Sequence, residues 1–576
     1  MNTHFTNTTA AQRPNLSRFL TLQSLLIALP LLFTLGIFLL YLATYFAYAY
    51  NLFKFPFDYD QGEGFELYDG IRLARGQNIY LDNAQYPFYA SNYPPVFRVM
   101  LVPFIWLFGP KLYVGRAVAF ACSLVIGGGI FLAARRQYGQ GGRGTRRQGD
   151  GWNNPLSPCL LVPLICSLAF FAANYVYHVG PLARAHLPMV MFAIAGIYCL
   201  DQAMSDEPRA MSQKLLIAHR SSLIAFCGIF LLMCAAFTKL QAVDALAAGF
   251  GFLLLRKPKW FLMAFATCLG FTLIFLLAMD KATAGQFWLN VVSANVNEYD
   301  IVVTWRTYYQ WFSLQGALIV CSVAYVMWDV IAAVRARSFR PIGIWSLYFV
   351  AGSALGMLTG KWGAGPTYLV AAIAASCVCT AGLFARMQGL GIGDWGLGNR
   401  NPQSLIPNFL FVAVMLIQAK SNIHLPVTGR FFGPVAQLAG VANAQSVYPP
   451  YPYYDTIGYT QLGHFVDAAD IANGWDLVNT LANVPGPVWS EEAMLTLWAG
   501  KDVVTNPTQL LNLSKNNTLD TTRMIEMIRA KQFGAIVFRA QFYPDDVKKA
   551  IVQNYYWAKM VRMNGFEYWV LLPNKE

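Results

Sequence analysis

From Phe19 to Phe53 the chain runs without a charged residue, and the stretch that follows, Asp58-Tyr-Asp-Gln-Gly-Glu-Gly-Phe-Glu66, carries four carboxylates. The apolar run exceeds the roughly 20 residues a membrane-crossing helix needs and lacks the small-residue cleavage pattern of a secretory signal, so it reads as a retained first span. Carboxylates at the edge of hydrocarbon cost roughly 2.5–3.5 kcal/mol each on insertion scales, and at that depth they usually serve a substrate, an ion or a proton. The acidic loop is therefore the first candidate for a functional site.

Composition supports a polytopic membrane protein: 56% of residues are hydrophobic and 12% are charged, against about a quarter charged in soluble domains. The formal charge of +13 falls in short clusters between apolar segments, as membrane orientation requires, and no basic stripe interleaved with aromatics is present, which excludes nucleic acid as a partner. The ten cysteines, Cys122 to Cys379, lie in apolar segments, so no disulfide framework is expected. There is no Walker-type loop, no Ser/His/Asp order and no CxxC motif. No cofactor follows from the sequence, and a divalent metal has no support beyond His178 and His186, whose spacing of eight matches no ligand motif.

Span parity orients the chain. Val96–Phe108 is short, follows Tyr93-Pro-Pro95 and holds Arg98, so it reads as an interfacial or re-entrant helix, while Leu112 to Ala134 spans. Further spans are expected near 156–178, 182–200, 221–238, 240–255, 261–279, 309–334, 341–359, 363–385 and 404–419, about eleven in all. Arg135, Arg136, Arg143, Arg146 and Arg147 then lie opposite the acidic loop. Arg209, Lys214 and Arg220, then Arg256, Lys257 and Lys259, then Arg335, Arg337 and Arg340 all fall on that same side. The positive-inside rule makes it cytoplasmic, with the N-terminus, and puts the acidic loop outside.

Residues 1–419 thus form a transmembrane domain whose first outer loop is 54–111, and residues 420–576 a small extracytoplasmic α/β domain. Short strands are expected at Val488-Trp489, Val503-Val504, Ala535 to Phe538 and Tyr568 to Leu572, with helices at Thr521 to Lys531 and Asp545 to Asn554. The entry segment Tyr448 to Tyr454 is rich in Pro and Tyr and suits a membrane interface. Asn7, Asn512 and Asn516 head glycosylation-acceptor triplets, a number expected by chance at this length.

Within the loop, Asp58, Asp60 and Glu63 flank Gly62 and Gly64, which leave room for a tight turn and a ligand. Neighbouring, partly desolvated acids raise one another's proton affinity, the condition for a general base near neutral pH. The plain alternative is a solvated loop with helix-capping acids. Lys361 and Lys239, with Gln241, lie at a matching depth, as do Arg184 with His186, Arg116 and Arg306. Cations facing carboxylates across one cavity suit a lipid phosphate beside a base. Snorkelling explains isolated lysines equally well, and Asp244 could simply neutralise Lys239.

Taken together, Asp60-Gln-Gly-Glu-Gly64, Leu73-Ala-Arg-Gly-Gln-Asn-Ile-Tyr80, Asn92-Tyr-Pro-Pro95, Arg184-Ala-His186, Thr238-Lys239-Leu-Gln241, Asn295-Val-Asn297, Gly360-Lys-Trp-Gly363 and Gly486-Pro-Val-Trp-Ser-Glu-Glu492 resemble the polytopic GT-C glycosyltransferases. The relatives meant are the family-39-like bacterial enzymes related to aminoarabinose transferases and protein O-mannosyltransferases. The resemblance covers nearly the whole chain, each motif being short. It implies an α-helical polytopic GT-C fold of about eleven transmembrane helices with a small C-terminal extracytoplasmic α/β domain, in a plasma or inner membrane. It also implies inverting transfer of a sugar from a polyprenyl-phosphate donor to a glycan, lipid or protein acceptor on the outer face. Asp60 or Glu63 would be the base, with Asp58 beside them. Lys361 and Lys239 would hold the phosphate, supported by Arg184, Arg306, Tyr93, Gln241, His186 and Arg116. The chain departs from the group at His186, where Asp is common, at Leu240, which interrupts a Lys-Gln pair, and at Thr367 and Ala371. Two other functions compete: a secondary transporter, and a GT-C-like lipid-binding protein without the chemistry.

Overall fold

The computed structural model describes residues 22–141, 158–205, 214–389, 405–422 and 465–575. Arg143, Arg146, Arg147, Arg209, the Tyr448 to Tyr454 segment and Asn7 lie outside the described residues. Each of the eleven expected spans contains an apolar helix. Their order is α1 (Leu22–Lys54), then, after the short α2 (Glu63–Ala74) and α3 (Val96–Phe108), α4 (Leu112–Gly141), α5 (Pro158–Ala172), the one-turn α6 (Asn174–Val179), α7 (His186–Ser205), α8 (Lys214–Thr238), α9 (Val243–Arg256) and α10 (Pro258–Ala282). After the short α11 (Gln286–Val291) come α12 (Ile301–Arg335), α13 (Ile344–Leu355), α14 (Val370–Gly389) and α15 (Leu405–Ser421).

Seven of these helices are long and apolar enough to cross a membrane, which makes the chain a multi-pass membrane protein. Among the expected spans, 156–178, 240–255 and 341–359 are interrupted. The breaks fall at Ala173, at a 3₁₀ turn over Leu240–Ala242 and at another over Gly356–Gly360. Non-helical backbone at membrane depth persists only where protein or a polar cavity satisfies it, and these breaks mark where such a cavity lies.

The bundle is built around α14, whose apolar window is 94% buried; that of the peripheral α10 is only 6% buried and presents Leu262, Phe271 and Ile274 outward. The sequence of α14 explains its place. Its run Val370-Ala-Ala-Ile-Ala-Ala-Ser-Cys-Val-Cys-Thr-Ala-Gly382 is nearly all small residues, which lets neighbouring helices approach closely. Charge is confined to the ends of the bundle. At the arginine-rich end Asp329 pairs with Arg386 at 2.7 Å and Asp201 with Arg136 at 3.7 Å, joining α12 to α14 and α7 to α4. No disulfide joins any of the cysteines among the described residues.

The C-terminal region forms a four-stranded sheet in the order β1-β2-β4-β3: β1 (Val488–Ser490) parallel to β2 (Ala535–Phe538), and β2 and β3 (Tyr555–Met563) each antiparallel to β4 (Phe566–Pro573). Helices at Thr522–Arg529 and Asp545–Asn554 are present as expected. Val503-Val504 is not a strand; both residues are buried in a loop whose next residue, Thr505, bridges to Phe88. The sheet region sits directly on the acidic loop. Trp498 Nε1 donates to the Pro56 carbonyl at 3.0 Å, Asn564 Nδ2 to the Tyr59 carbonyl at 3.1 Å, and Asn51 exchanges two hydrogen bonds with Val466.

Candidate active site

The acidic loop leaves the end of α1 and turns into α2 through a web that Glu63 organises. Its Oε2 accepts the backbone N–H groups of Tyr59 at 3.0 Å and Asp60 at 3.3 Å, and its Oε1 accepts that of Ala183 at 2.8 Å. Arg116 from α4 grips both carboxylate oxygens, at 2.9 and 2.7 Å, and spends its remaining donors on the carbonyls of Leu52, Phe55 and Phe57. Both side chains are fully buried. Burial would raise the Glu63 proton affinity, but the Arg116 charge and hydrogen bonds outweigh it and hold the carboxyl below its ordinary range. Neither Glu63 nor Arg116 opens onto the cavity described below; the pair staples α1, the loop and α4.

Asp58 also turns away from that cavity. Its oxygens accept the N–H groups of Gly64 at 2.5 Å and Met494 at 3.0 Å, it contacts Glu492 of the C-terminal domain, and burial pushes its carboxyl up to about 7. Asp60 takes the opposite direction. Its Oδ2 lies 3.3 Å from Arg184 Nε and its side chain retains 11% exposure. Burial raises its pKa, and the Arg184 charge partly offsets the rise.

The two loop glycines leave room for protein side chains. A Cβ on Gly62 would fall 1.3 Å from Arg184 Nη1, and one on Gly64 would fall 2.5 Å from Asp58 Oδ1 and 2.9 Å from Ala493 Cβ. Gly62 has φ of −94°, so space and not backbone conformation demands glycine there.

Asp60, Tyr93, Arg184, His186, Lys239, Arg306 and Lys361 line one cavity of about 310 Å³, at the small end of the roughly 300–1,000 Å³ usual for small-molecule sites. Each helix break feeds it: Tyr175 and His178 from α6, Lys239 from the turn after α8, and Thr359 and Lys361 from the turn after α13. Lys239 Nζ lies 3.0 Å from His186 Nδ1 and 4.8 Å from the centre of the Tyr93 ring, on which Arg98 also stacks at 5.1 Å. Lys361 Nζ donates to the Asn295 carbonyl at 2.8 Å. Lys239, Lys361 and Arg306 have no carboxylate partner among the described residues. Asp244 does not neutralise Lys239; one of its oxygens accepts the Ala245 N–H at 2.6 Å. Gln241 is buried beside Tyr368, behind the cavity wall.

Several further residues line the cavity. Glu66 and Asp69, one turn apart on α2, share Arg98 at 2.5 and 3.3 Å, and Tyr89 donates to Asp69 at 2.6 Å. Asn506, Thr508 and Asn512 bring the C-terminal domain to the same cavity. Asn512 is buried, so its place in a glycosylation triplet is incidental. The i, i+3 spacing of Glu66 and Asp69 was a usable signal for one helix face; the contribution of the C-terminal domain had none.

No family model matches the chain, and no curated protein matches it. Solved structures do. ArnT from Cupriavidus metallidurans in the apo state aligns with a TM-score of 0.53 at 14% identity, over 93% of this chain and 98% of that one. The same protein bound to undecaprenyl phosphate aligns at 0.52 with the same identity and coverage. The chain therefore has the fold of ArnT, the GT-C fold that its sequence motifs resemble.

Proposed function

We propose that this protein is a membrane glycosyltransferase that moves a sugar from a polyprenyl-phosphate donor to an acceptor hydroxyl on the outer face of the membrane, with inversion and with Asp60 as general base. The observation that carries the reading is one cavity in which three cations without carboxylate partners among the described residues, Lys239, Lys361 and Arg306, are brought together with Asp60. Unpaired cations in a partly desolvated site call for an anion; the phosphodiester of the donor supplies one negative charge, and a second develops on the phosphate monoester as it departs. ArnT, which shares the fold, is itself bound to undecaprenyl phosphate in one of its structures.

In the reaction Asp60 accepts the acceptor hydroxyl proton as that oxygen forms a bond to the anomeric carbon. The bond from that carbon to the phosphate oxygen breaks, and polyprenyl phosphate departs with the electron pair. The leaving group is already ionised and needs cations rather than a proton donor, a role Lys239, Lys361 and Arg306 would fill. Asp60 suits the base because it is the loop acid on the cavity without a full set of structural partners, and burial raises its proton affinity. Arg184 would orient it and hold it ionised at neutral pH. The clustered arginines at the far end of the bundle support a cytoplasmic N-terminus in a plasma or inner membrane, with the cavity and C-terminal domain outside.

The test is incubation of the protein in nanodiscs with a radiolabelled polyprenyl-phosphate sugar and a membrane-extract acceptor pool. Released polyprenyl phosphate, with label transferred in proportion, is the expected result. Tight binding of the donor without release under any acceptor supply would leave a lipid-binding protein and sink the catalytic assignment.

A further inference from the structure

Lys239 is enclosed by neutral groups. Its Nζ lies 3.0 and 3.2 Å from the two ring nitrogens of His186, 4.8 Å from the centre of the Tyr93 ring and 6.0 Å from that of Tyr368. An ammonium has donors only, so the His186 nitrogen facing it must accept, which an imidazolium cannot do. The two side chains, both buried, therefore carry at most one positive charge between them, and an anion beside them favours that charged state. Among the described residues the other charged groups of the cavity wall do not balance. Asp60 is set against Arg184, while Glu66 and Asp69 share the single Arg98. The His186–Lys239 pair, Lys361 and Arg306 add three positive charges, which leaves a surplus of two. A carboxylate in place of His186 would cut that surplus to one, by drawing Lys239 into a pair like that of Asp60 with Arg184.

We infer that His186 is a positioning residue that orients Lys239 without neutralising it, and so matches the cavity's charge to the phosphate monoester that leaves rather than to the diester that arrives. This rests on the lipid-phosphate donor reading above. The donor diester brings one negative charge, and a second develops on the phosphate as its oxygen parts from the anomeric carbon. A surplus of two balances the departing polyprenyl phosphate and exceeds the charge of the donor by one. The excess attraction is therefore realised as the bond breaks, which is the condition under which binding energy lowers a barrier instead of holding the substrate. The Tyr93 ring serves the same end, since a ring face attracts an ammonium and leaves its charge in place.

The experiment measures binding of a short-chain polyprenyl phosphate and of its methyl ester to the full-length protein in nanodiscs at about pH 8. The monoester carries close to two charges there and the methyl ester one, and neither has a sugar. The unmodified protein is expected to bind the monoester about tenfold tighter than the methyl ester. His186→Asn keeps a neutral acceptor beside Lys239 and is expected to keep that ratio, whatever it does to both affinities together. His186→Asp is expected to weaken the monoester about tenfold more than the methyl ester, because Coulomb energy scales with the charge of the ligand, and so to abolish the ratio. Lys239→Met removes the same charge from the other partner, is expected to act likewise, and decides the matter if His186→Asp does not fold. A ratio near one in the unmodified protein, a ratio that survives His186→Asp or Lys239→Met, or a ratio lost in His186→Asn overturns this inference alone. Failure of both ligands to bind the unmodified protein overturns the donor reading as well.

Discussion

Arg184 reaches Asp60 by passing over Gly62: its Nε stands 3.3 Å from Asp60 Oδ2, and its Nη1 occupies the volume a Cβ at position 62 would need. The chain therefore buys the Asp60–Arg184 contact with a glycine whose φ any residue could adopt. Gly62→Ala is expected to displace the guanidinium and cut sugar transfer by an order of magnitude or more, while overpacking costs roughly 1–3 kcal/mol of stability. Transfer assays alongside thermal melts check it. Unchanged activity with an unchanged melt would mean that Arg184 has other room and does not position Asp60.

Asp60 and Glu63 are expected to fail differently. Asp60→Asn keeps the size of the side chain and one acceptor for the Gly62 N–H, so transfer should vanish while expression, gel-filtration profile and Tm stay near those of the unmodified protein. Glu63→Gln leaves Arg116 buried without its counter-charge, and removing one partner of such a pair costs about 3–5 kcal/mol. Poor expression or a strongly lowered Tm is the expected result. A stable, inactive Glu63→Gln protein beside an active Asp60→Asn protein would reverse the two roles.

That division could not be read from the loop itself. Asp60-Gln-Gly-Glu63 presents two acids of equal standing, and the arginine that removes one of them from the cavity stands 53 positions later in α4. The helices were legible because hydrocarbon demands long apolar runs; even the breaks left traces, in Lys239 and Lys361 at the ends of spans. The strand Tyr555–Met563 was not, since its exposed positions dominate its pattern and Lys559 and Arg562 interrupt any alternation. The C-terminal domain's share in the cavity was hidden for the same reason as Arg116: Asn512 meets Asn297 only through the fold.

Lys239 links anion binding to pH. Burial, and after it the Arg184 charge, push its ammonium well below the ordinary lysine value. A phosphate bound beside it favours the charged form, so the lysine holds its proton more tightly in the complex than in the free site. Affinity for polyprenyl phosphate is then expected to be full below the free-site pKa and to fall as pH rises above it. Calorimetry in two buffers of different ionisation enthalpy should reveal proton uptake on binding. Lys239→Met should remove both the uptake and the Lys239-dependent part of the slope; uptake that persists in this variant would assign the proton elsewhere.

Asp58 and Glu492 join the acidic loop to the C-terminal domain as two adjoining buried acids. Burial raises Glu492 well above its ordinary value, although the Arg539 charge pulls the other way, and it holds Asp58 at about 7 against an ordinary 3.8. Both bind protons more tightly folded than unfolded. For Asp58 the resulting stability is complete below about pH 4 and is lost as pH rises through about 7; for Glu492 the loss has the same sign. Tm should therefore decline as pH is raised from 5 to 8.5. The readout is the slope rather than Tm itself, because substituting either acid also disturbs hydrogen bonds to Met494 or Arg539. Glu492→Gln should make the decline shallower, and Asp58→Asn combined with Glu492→Gln should flatten it further. An identical slope in the unmodified protein and the double variant would show that this carboxyl pair does not set the pH dependence of the junction.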